Sequence, residues 1–95
     1  MQRSLDIPAI VGLTAGLPSM DLQALTVDAI RSHRHRLEKA QQLWELLPHE
    51  VQAGKASGGA QHLAYIEAAM EMHAQMYVLN SLLKRLGYIP KVPAI

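Results

Sequence analysis

The fold is decided by residues 58–92, which read GGAQHLAYIEAAMEMHAQMYVLNSLLKRLGYIPKV and predict one long helix with apolar residues on two sides. On a helix, side chains separated by three or four positions share a face. A first stripe made in this way consists of Leu63, Ile66, Met70, His73, Tyr77 and Asn80. A second stripe consists of Tyr65, Ala69, Met72, Met76, Leu79, Leu83 and Leu86. The positions left over form a narrow polar strip of Glu67, Glu71, Gln75 and Arg85.

Two apolar stripes on one helix predict self-association, because a single partner helix covers only one of them. Leaving a stripe in water would forgo about 1.5 to 3 kcal/mol for each large side chain. Over five such side chains, that loss rivals the ~5 to 15 kcal/mol by which a whole domain is usually stable. The 95-residue chain has no cysteine, so disulfides, thiol catalysis and thiolate metal sites are excluded, which fits a reducing cytoplasm.

The rest of the chain predicts a second long helix and two flanking segments within one domain, residues 1–95. The first long helix is expected over residues 20–47, with Ser19 as its cap and Pro48 as its stop. The second is expected over residues 60–86, ending at Gly87 in a left-handed cap, and the connection HEVQA could hold one helical turn. Residues 1–18 form an arm, which allows a short turn of helix, and residues 87–95 an extended tail.

The first long helix has one apolar seam, composed of Leu22, Thr26, Ala29, His33, Leu37, Ala40, Trp44 and Leu47. Its single face fits an antiparallel pairing with the second helix. The predicted fold is therefore all-α: a long two-helix hairpin with an N-terminal arm, dimerising into a four-helix bundle. Which stripe faces the hairpin and which the second copy stays open at this stage.

Charge and hydropathy exclude several kinds of partner. The net charge is +1 and the pI about 8.2, far from the basic balance of a domain that grips phosphates. The apolar run at residues 9–13 is too short for a signal core or a membrane span. We expect a cytoplasmic homodimer with no direct nucleic-acid contact and no membrane segment.

The five histidines do not predict a metal site, because no two of them stand at the i, i+4 spacing of helical ligands. No cofactor is expected either. His33 and His73 lie on apolar seams, where a hydrogen-bonded core histidine is the simpler interpretation. His73 and Asn80 share a stripe seven residues apart, and we hypothesise that this polar pair fixes register and oligomeric state.

An enzyme is one alternative, since small dimeric helical proteins include chorismate mutases of the all-helical type. Such a site needs several cations converging on a dicarboxylate, whereas Arg31, Arg34 and Arg36 scatter around the helical wheel. No catalytic residue is predicted. A purely structural dimerisation module is the other alternative.

The strings GLPSMDL, TVDAIRSHR, GGAQH, YIEAAMEMHAQM and LGYIPKV together resemble the TraM family of quorum-sensing antiactivators from rhizobial and agrobacterial conjugative plasmids. The resemblance covers residues 11–92 and implies an all-helical homodimer of two-helix subunits. It further implies sequestration of a TraR-like, LuxR-type transcription activator, mainly through the activator's DNA-binding domain. The result would be loss of DNA binding and repression of conjugal transfer genes, with no cofactor.

The matching strings supply candidate contact residues, and the stripes and the seam supply candidate dimer and core residues. Contacts to the activator are expected from polar residues off the main seams and from the tail: Asp28, Arg31, Arg34, Glu67, Glu71, Gln75, Pro90 and Lys91. Dimer or core roles are expected for Leu37, Trp44, Leu63, Ile66, Met70, Met72, His73, Met76, Tyr77, Leu79, Asn80 and Leu83. Each contact residue could equally be ordinary solvated surface. Ala15 and Ala60 depart from the family pattern, which has a basic residue and a proline there, so a contact is lost at the first position.

Overall fold

The computed structural model describes residues 8–93, which form four helices. They are α1 (Pro8–Thr14), α2 (Ser19–Glu45), α3 (His49–Gln52) and α4 (Gly59–Leu86). The fold of this part of the chain is all-α, as predicted. Each long helix begins one residue before its predicted start, and α4 ends where it was expected to end. The first seven residues of the predicted arm and the last two of the predicted tail lie outside the described residues.

The start of α2 differs from the prediction. Pro18 occupies the cap position with φ −60° and ψ 151°, and no side chain there bonds a free backbone N–H. Ser19 is already the first helical residue, so the prediction that it caps the helix is wrong. The fixed φ of proline suits this extended position, and it displaces serine by one residue. Asp21 remains in the first turn, where the helix dipole favours an acid.

The end of α4 follows the sequence signals. Gly87 has φ 90°, the left-handed conformation, and its N–H donates to the carbonyl of Leu83 at 2.8 Å. Glycine adopts this conformation at the lowest steric cost, which is why it ends so many helices. The tail then returns to α2, where the Tyr88 hydroxyl donates to the Gln23 side chain and Pro90 is buried.

The two long helices pack as an antiparallel hairpin. Three cross-helix contacts run in opposite order along them: Ala29 with Gln75, Arg36 with Glu71, and Trp44 with Tyr65. The buried core cluster contains Leu22, Ala29, Leu79 and Leu82. Partly buried residues packed against it are Ile10, Ile30, Val78, Leu83 and Leu86. Leu79, Leu83 and Leu86 belong to the second stripe, so this stripe contributes to the side of α4 that packs in the hairpin, and no residue of the first stripe belongs to the cluster.

Two short helices close the ends of the hairpin. Helix α1 packs against α4: Thr14 is buried, and its carbonyl accepts a hydrogen bond from Arg85 at 3.4 Å. The Thr14 hydroxyl donates back to the Ile10 carbonyl at 2.8 Å. At the other end, α3 is the single turn expected in the connection. It buries Val51 and holds the Trp44 carbonyl through the Gln52 amide at 2.7 Å.

Candidate protein-interaction surfaces

The first stripe of α4 forms an exposed, uncharged face. Leu63 is 61% exposed, Met70 63% and Tyr77 46%. His73 and Asn80 are exposed as well, so the interpretation of His73 as a core histidine is wrong for this chain alone. The reason is geometric, because α2 covers the opposite side of α4. The stripe contains no Asp, Glu, Lys or Arg. A helix face of this size and composition is typical of a protein–protein contact.

A groove of about 270 Å³ opens beside this face, between the two long helices, and is called the Trp44 groove below. From α2 it is lined by Leu37, Ala40, Gln41 and Trp44. From α4 it is lined by Tyr65, Ala69, Met72 and His73. The rings of Trp44 and Tyr65 lie 5.2 Å apart at its side, tilted by 52°. His73 belongs to both the groove and the first stripe, so the two surfaces are continuous.

The groove exists because small residues stand where larger ones would close the hairpin. Ala40 and Ala69 both line it, and neither fills the space beside Leu37, which is 47% exposed. The prediction placed Leu37 in the seam or the dimer interface, and the chain alone does not bury it. Sequence reasoning did not assign Ala40, Gln41 or Ala69 to any site. The signal that could have found them is an alanine on each of two facing seams.

The seam itself runs one position away from the predicted second stripe. Ala68 and Leu82, each seven residues from Gln75, are buried, and Gln75 is half-buried between them. Its side-chain amide donates to the Ala29 carbonyl at 3.5 Å. The prediction that Gln75 lies on an outward polar strip is therefore wrong. The amide tolerates this position because it finds a backbone acceptor across the seam.

His33 also lies toward the seam, and it is half-buried. Its Nδ1 atom is buried and has no hydrogen-bond partner among the described residues. We had expected a hydrogen-bonded histidine at this position, and the structure does not provide the partner.

The charged candidates divide between two sides of the molecule. On α2, Asp28, Arg31 and Arg34 follow one another at three-residue steps; Asp28 and Arg34 are exposed and Arg31 is half-buried. On α4, Glu67 is exposed, whereas Glu71 accepts a hydrogen bond from Arg36 at 3.2 Å. In the tail, Lys91 is exposed. Pro90 is buried, so the prediction of an exposed contact at Pro90 is wrong.

The described residues do not bring together a cluster of metal-ligating side chains. Within residues 8–93, no three His, Asp or Glu side chains come close enough to share a metal ion. Of the three arginines that a mutase-type site would need to converge, Arg36 is occupied by Glu71. No helix in this part of the chain is long and apolar enough to cross a membrane.

The sequence as a whole matches one protein family. Residues 1–91 fit the model of the prokaryotic transcriptional repressor TraM family. The chain belongs to this family. It is 51% identical over 90 residues to the transcriptional repressor TraM of Rhizobium radiobacter, covering 95% of this chain and 88% of that protein. It is 50% identical, over the same shares, to the transcriptional repressor TraM of Agrobacterium fabrum.

A solved structure supports the same conclusion at the level of the fold. The crystal structure of a second quorum sensing antiactivator, TraM2 from A. tumefaciens, superposes on this TraM-family chain with a TM-score of 0.89. The two sequences are 53% identical, and the match covers 93% of this chain and 99% of the other. The helical fold of this chain is therefore also that of a solved relative at 53% identity.

Proposed function

We propose that this chain is a quorum-sensing antiactivator that binds a TraR-like, LuxR-type transcription activator and prevents it from binding DNA. The activator's DNA-binding domain is the main contact, and the consequence is repression of conjugal plasmid transfer genes. The protein acts in the cytoplasm as a homodimer, without catalysis and without a cofactor. The observation that carries the proposal is the identity of 50 to 53% with proteins named transcriptional repressor and quorum sensing antiactivator.

The homodimer is supported by the exposed first stripe. Leu63, Met70 and Tyr77 lie on one face of a helix about 40 Å long, at 1.5 Å per residue over 28 residues. A stable interface buries about 800 Å² on each partner. The stripe and the adjoining Trp44 groove together form one apolar surface along this helix that a second copy could cover. Pairing two such hairpins produces the four-helix bundle expected from the sequence.

The activator-binding surface is supported by charge. Asp28, Arg31 and Arg34 lie on α2, at steps that keep them clear of the buried positions Leu22, Ala29 and Ala40. This surface stays accessible when α4 faces a second copy. A charged, exposed surface of this kind provides orientation and a fast association rate more than raw affinity. Glu67, Glu71 and Lys91 extend the proposed contact to the hairpin's edge and tail.

Inhibition follows from differential binding. A protein that binds the DNA-free activator more tightly than the DNA-bound one shifts the population toward the free form. To move the activator from 99% bound to 1% bound, the difference must reach about 10⁴-fold, or ~5.5 kcal/mol. An inhibitor that contacts the DNA-binding domain must supply this difference, either by covering the surface that DNA needs or by distorting the activator.

A gel-shift titration tests the proposal. A LuxR-type activator with its signal molecule and a labelled operator gives a shifted band, and the antiactivator should abolish that band without shifting DNA itself. The Arg34→Glu variant should require more protein for the same effect. Lys55→Glu is the matched control, because it makes the same charge reversal at a residue that is exposed in the connection before α4. A shifted band that persists at saturating protein would contradict the proposal and leave a structural dimerisation module.

A further inference from the structure

We propose that the Trp44 groove is the socket for Met70 of a second copy of this chain, so that two reciprocal Met70 contacts lock the homodimer. This inference rests on the homodimer in the proposed function and adds the residue contact that specifies it. A hole on the same surface as the exposed stripe is what a two-fold interface requires, because one surface must supply both protrusion and recess.

The shape of the groove fits a flexible, unbranched side chain. Its lining combines the small residues Ala40 and Ala69 with the large apolar side chains of Leu37 and Trp44. Methionine has three rotatable bonds and a polarizable sulfur, so it enters irregular recesses and contacts aromatic rings favourably. Met70 is 63% exposed on the adjoining face, which leaves its side chain free to do so.

Charge favours a second copy over another kind of partner at this groove. None of the eight side chains that line it is Asp, Glu, Lys or Arg, and the same holds for the six residues of the first stripe. An isologous interface places each residue near its own twin or near residues of the same surface. An uncharged surface therefore pairs with itself without like-charge repulsion, whereas a charged partner would gain nothing here.

Position along α4 selects Met70 in either pairing direction. The α4 residues that line the groove span positions 65–73. In an antiparallel pairing centred on the first stripe, the axis lies midway between Leu63 and Asn80, and Met70 meets the partner at the level of His73. In a parallel pairing in register, Met70 meets the partner at the level of Met70 itself. Both levels fall within the span of the groove.

The first experiment measures the dimer dissociation constant by sedimentation equilibrium. Met70→Ala should raise that constant by about tenfold or more, the change that ~1.4 kcal/mol produces. Met20→Ala is the matched control, because Met20 is 83% exposed on α2 and lies outside the groove and the stripe. It should leave the constant unchanged. Helix content and thermal unfolding at low concentration verify that both variants keep the hairpin.

The second experiment uses Trp44, the only tryptophan in the chain, as a reporter inside the groove. Acrylamide quenching of its fluorescence should fall on dimerisation in the wild type and stay high in dimers of Met70→Ala. A groove-filling variant, Ala69→Leu, should also weaken the dimer. Adding Met70→Ala to it should cost little more, because the socket is already closed and the two changes share one contact.

The outcomes separate the two levels of the proposal. A dimer whose dissociation constant is equally insensitive to Met70→Ala and Met20→Ala, or whose Trp44 stays accessible, overturns the socket and leaves the homodimer standing. A chain that is monomeric at all concentrations overturns both the homodimer and the socket. The gel-shift titration reports independently on binding to the activator.

Discussion

The two sides of α4 should respond differently to the same substitution. Leu82 is 5% exposed in the seam against α2, and Leu63 is 61% exposed on the first stripe. Both are leucines on one helix, so Leu→Ala removes the same atoms and changes helix propensity equally. The difference between the two variants therefore reports only on what covers each side chain.

The expected magnitudes follow from burial. Leu82→Ala removes a core side chain and should cost about 3 kcal/mol, within the ~2.7 to 5 kcal/mol observed for buried leucines. At about 4 to 8 °C per kcal/mol for a domain of this size, Tm should fall by roughly 12 to 24 °C. Leu63→Ala should cost less than about 1 kcal/mol in the isolated hairpin, since most of that side chain is already in water. In the homodimer, its loss should approach ~2 kcal/mol.

Thermal and urea unfolding followed by circular dichroism at two protein concentrations tests this reasoning. For a dimer, each tenfold rise in concentration changes the apparent free energy of unfolding by about 1.4 kcal/mol. Leu63→Ala should therefore reduce the rise in apparent unfolding free energy between the lower and the higher protein concentration. Leu82→Ala should lower the unfolding free energy by the same amount at both concentrations. A loss below ~1 kcal/mol for Leu82→Ala would refute the seam assignment. Equal behaviour of wild type and Leu63→Ala at all concentrations would refute coverage of the first stripe.

Three smaller predictions test local structure by thermal and urea unfolding. Gly87→Ala should lower the free energy of unfolding by about 1 kcal/mol, because alanine is strained in the left-handed conformation of the cap. Gly12→Ala in α1 is the control, and it should be neutral or slightly stabilising because there is open space around Gly12. Equal effects of the two substitutions would contradict the role of Gly87 as the cap. Thr26→Val should lower the free energy of unfolding by no more than about 1 kcal/mol. The Thr26 hydroxyl donates to the Leu22 carbonyl at 2.7 Å, and this carbonyl keeps its backbone hydrogen bond in the helix when the hydroxyl is removed. A larger loss would show that the hydroxyl is essential to stability. Arg36→Gln should cost less than about 1 kcal/mol, because its pair with Glu71 is substantially exposed; a larger loss would indicate a network.

Local signals in the sequence predicted the two long helices, because residues with strong backbone preferences stand near their ends, although α2 ends at Glu45, two residues before its predicted end. Gly87 ended α4 as expected, and Pro48 separated α2 from α3. The cap at Ser19 failed because two residues competed for one position, and the backbone restriction of Pro18 prevailed. Which of the two residues takes the cap position depends on the direction in which the preceding residues enter α2. Here that direction follows from the packing of α1 on α4.

The tertiary seam was harder to predict, since a helical wheel does not record how a partner helix crosses. Apolar residues at positions 69, 76 and 83 drew the predicted stripe one position away from the buried column that includes Ala68 and Leu82. Gln75 lies in that column because Ala29 offers a backbone carbonyl across it. A polar residue in a seam is recognisable only when its partner on the other helix is known.

The distribution of charge over the hairpin supports the proposal that this small chain pairs with itself and binds another protein. The first stripe lacks Asp, Glu, Lys and Arg, so bringing two copies together there desolvates no side chain that carries a fixed charge. Asp28, Arg31 and Arg34 lie on the other long helix, and in the proposed function they contact the activator. In the proposed function, self-pairing uses the first stripe of α4 and the Trp44 groove, and the activator contacts the charged outer side of α2 and the edge of α4. The proposed homodimer and activator complex therefore use different surfaces.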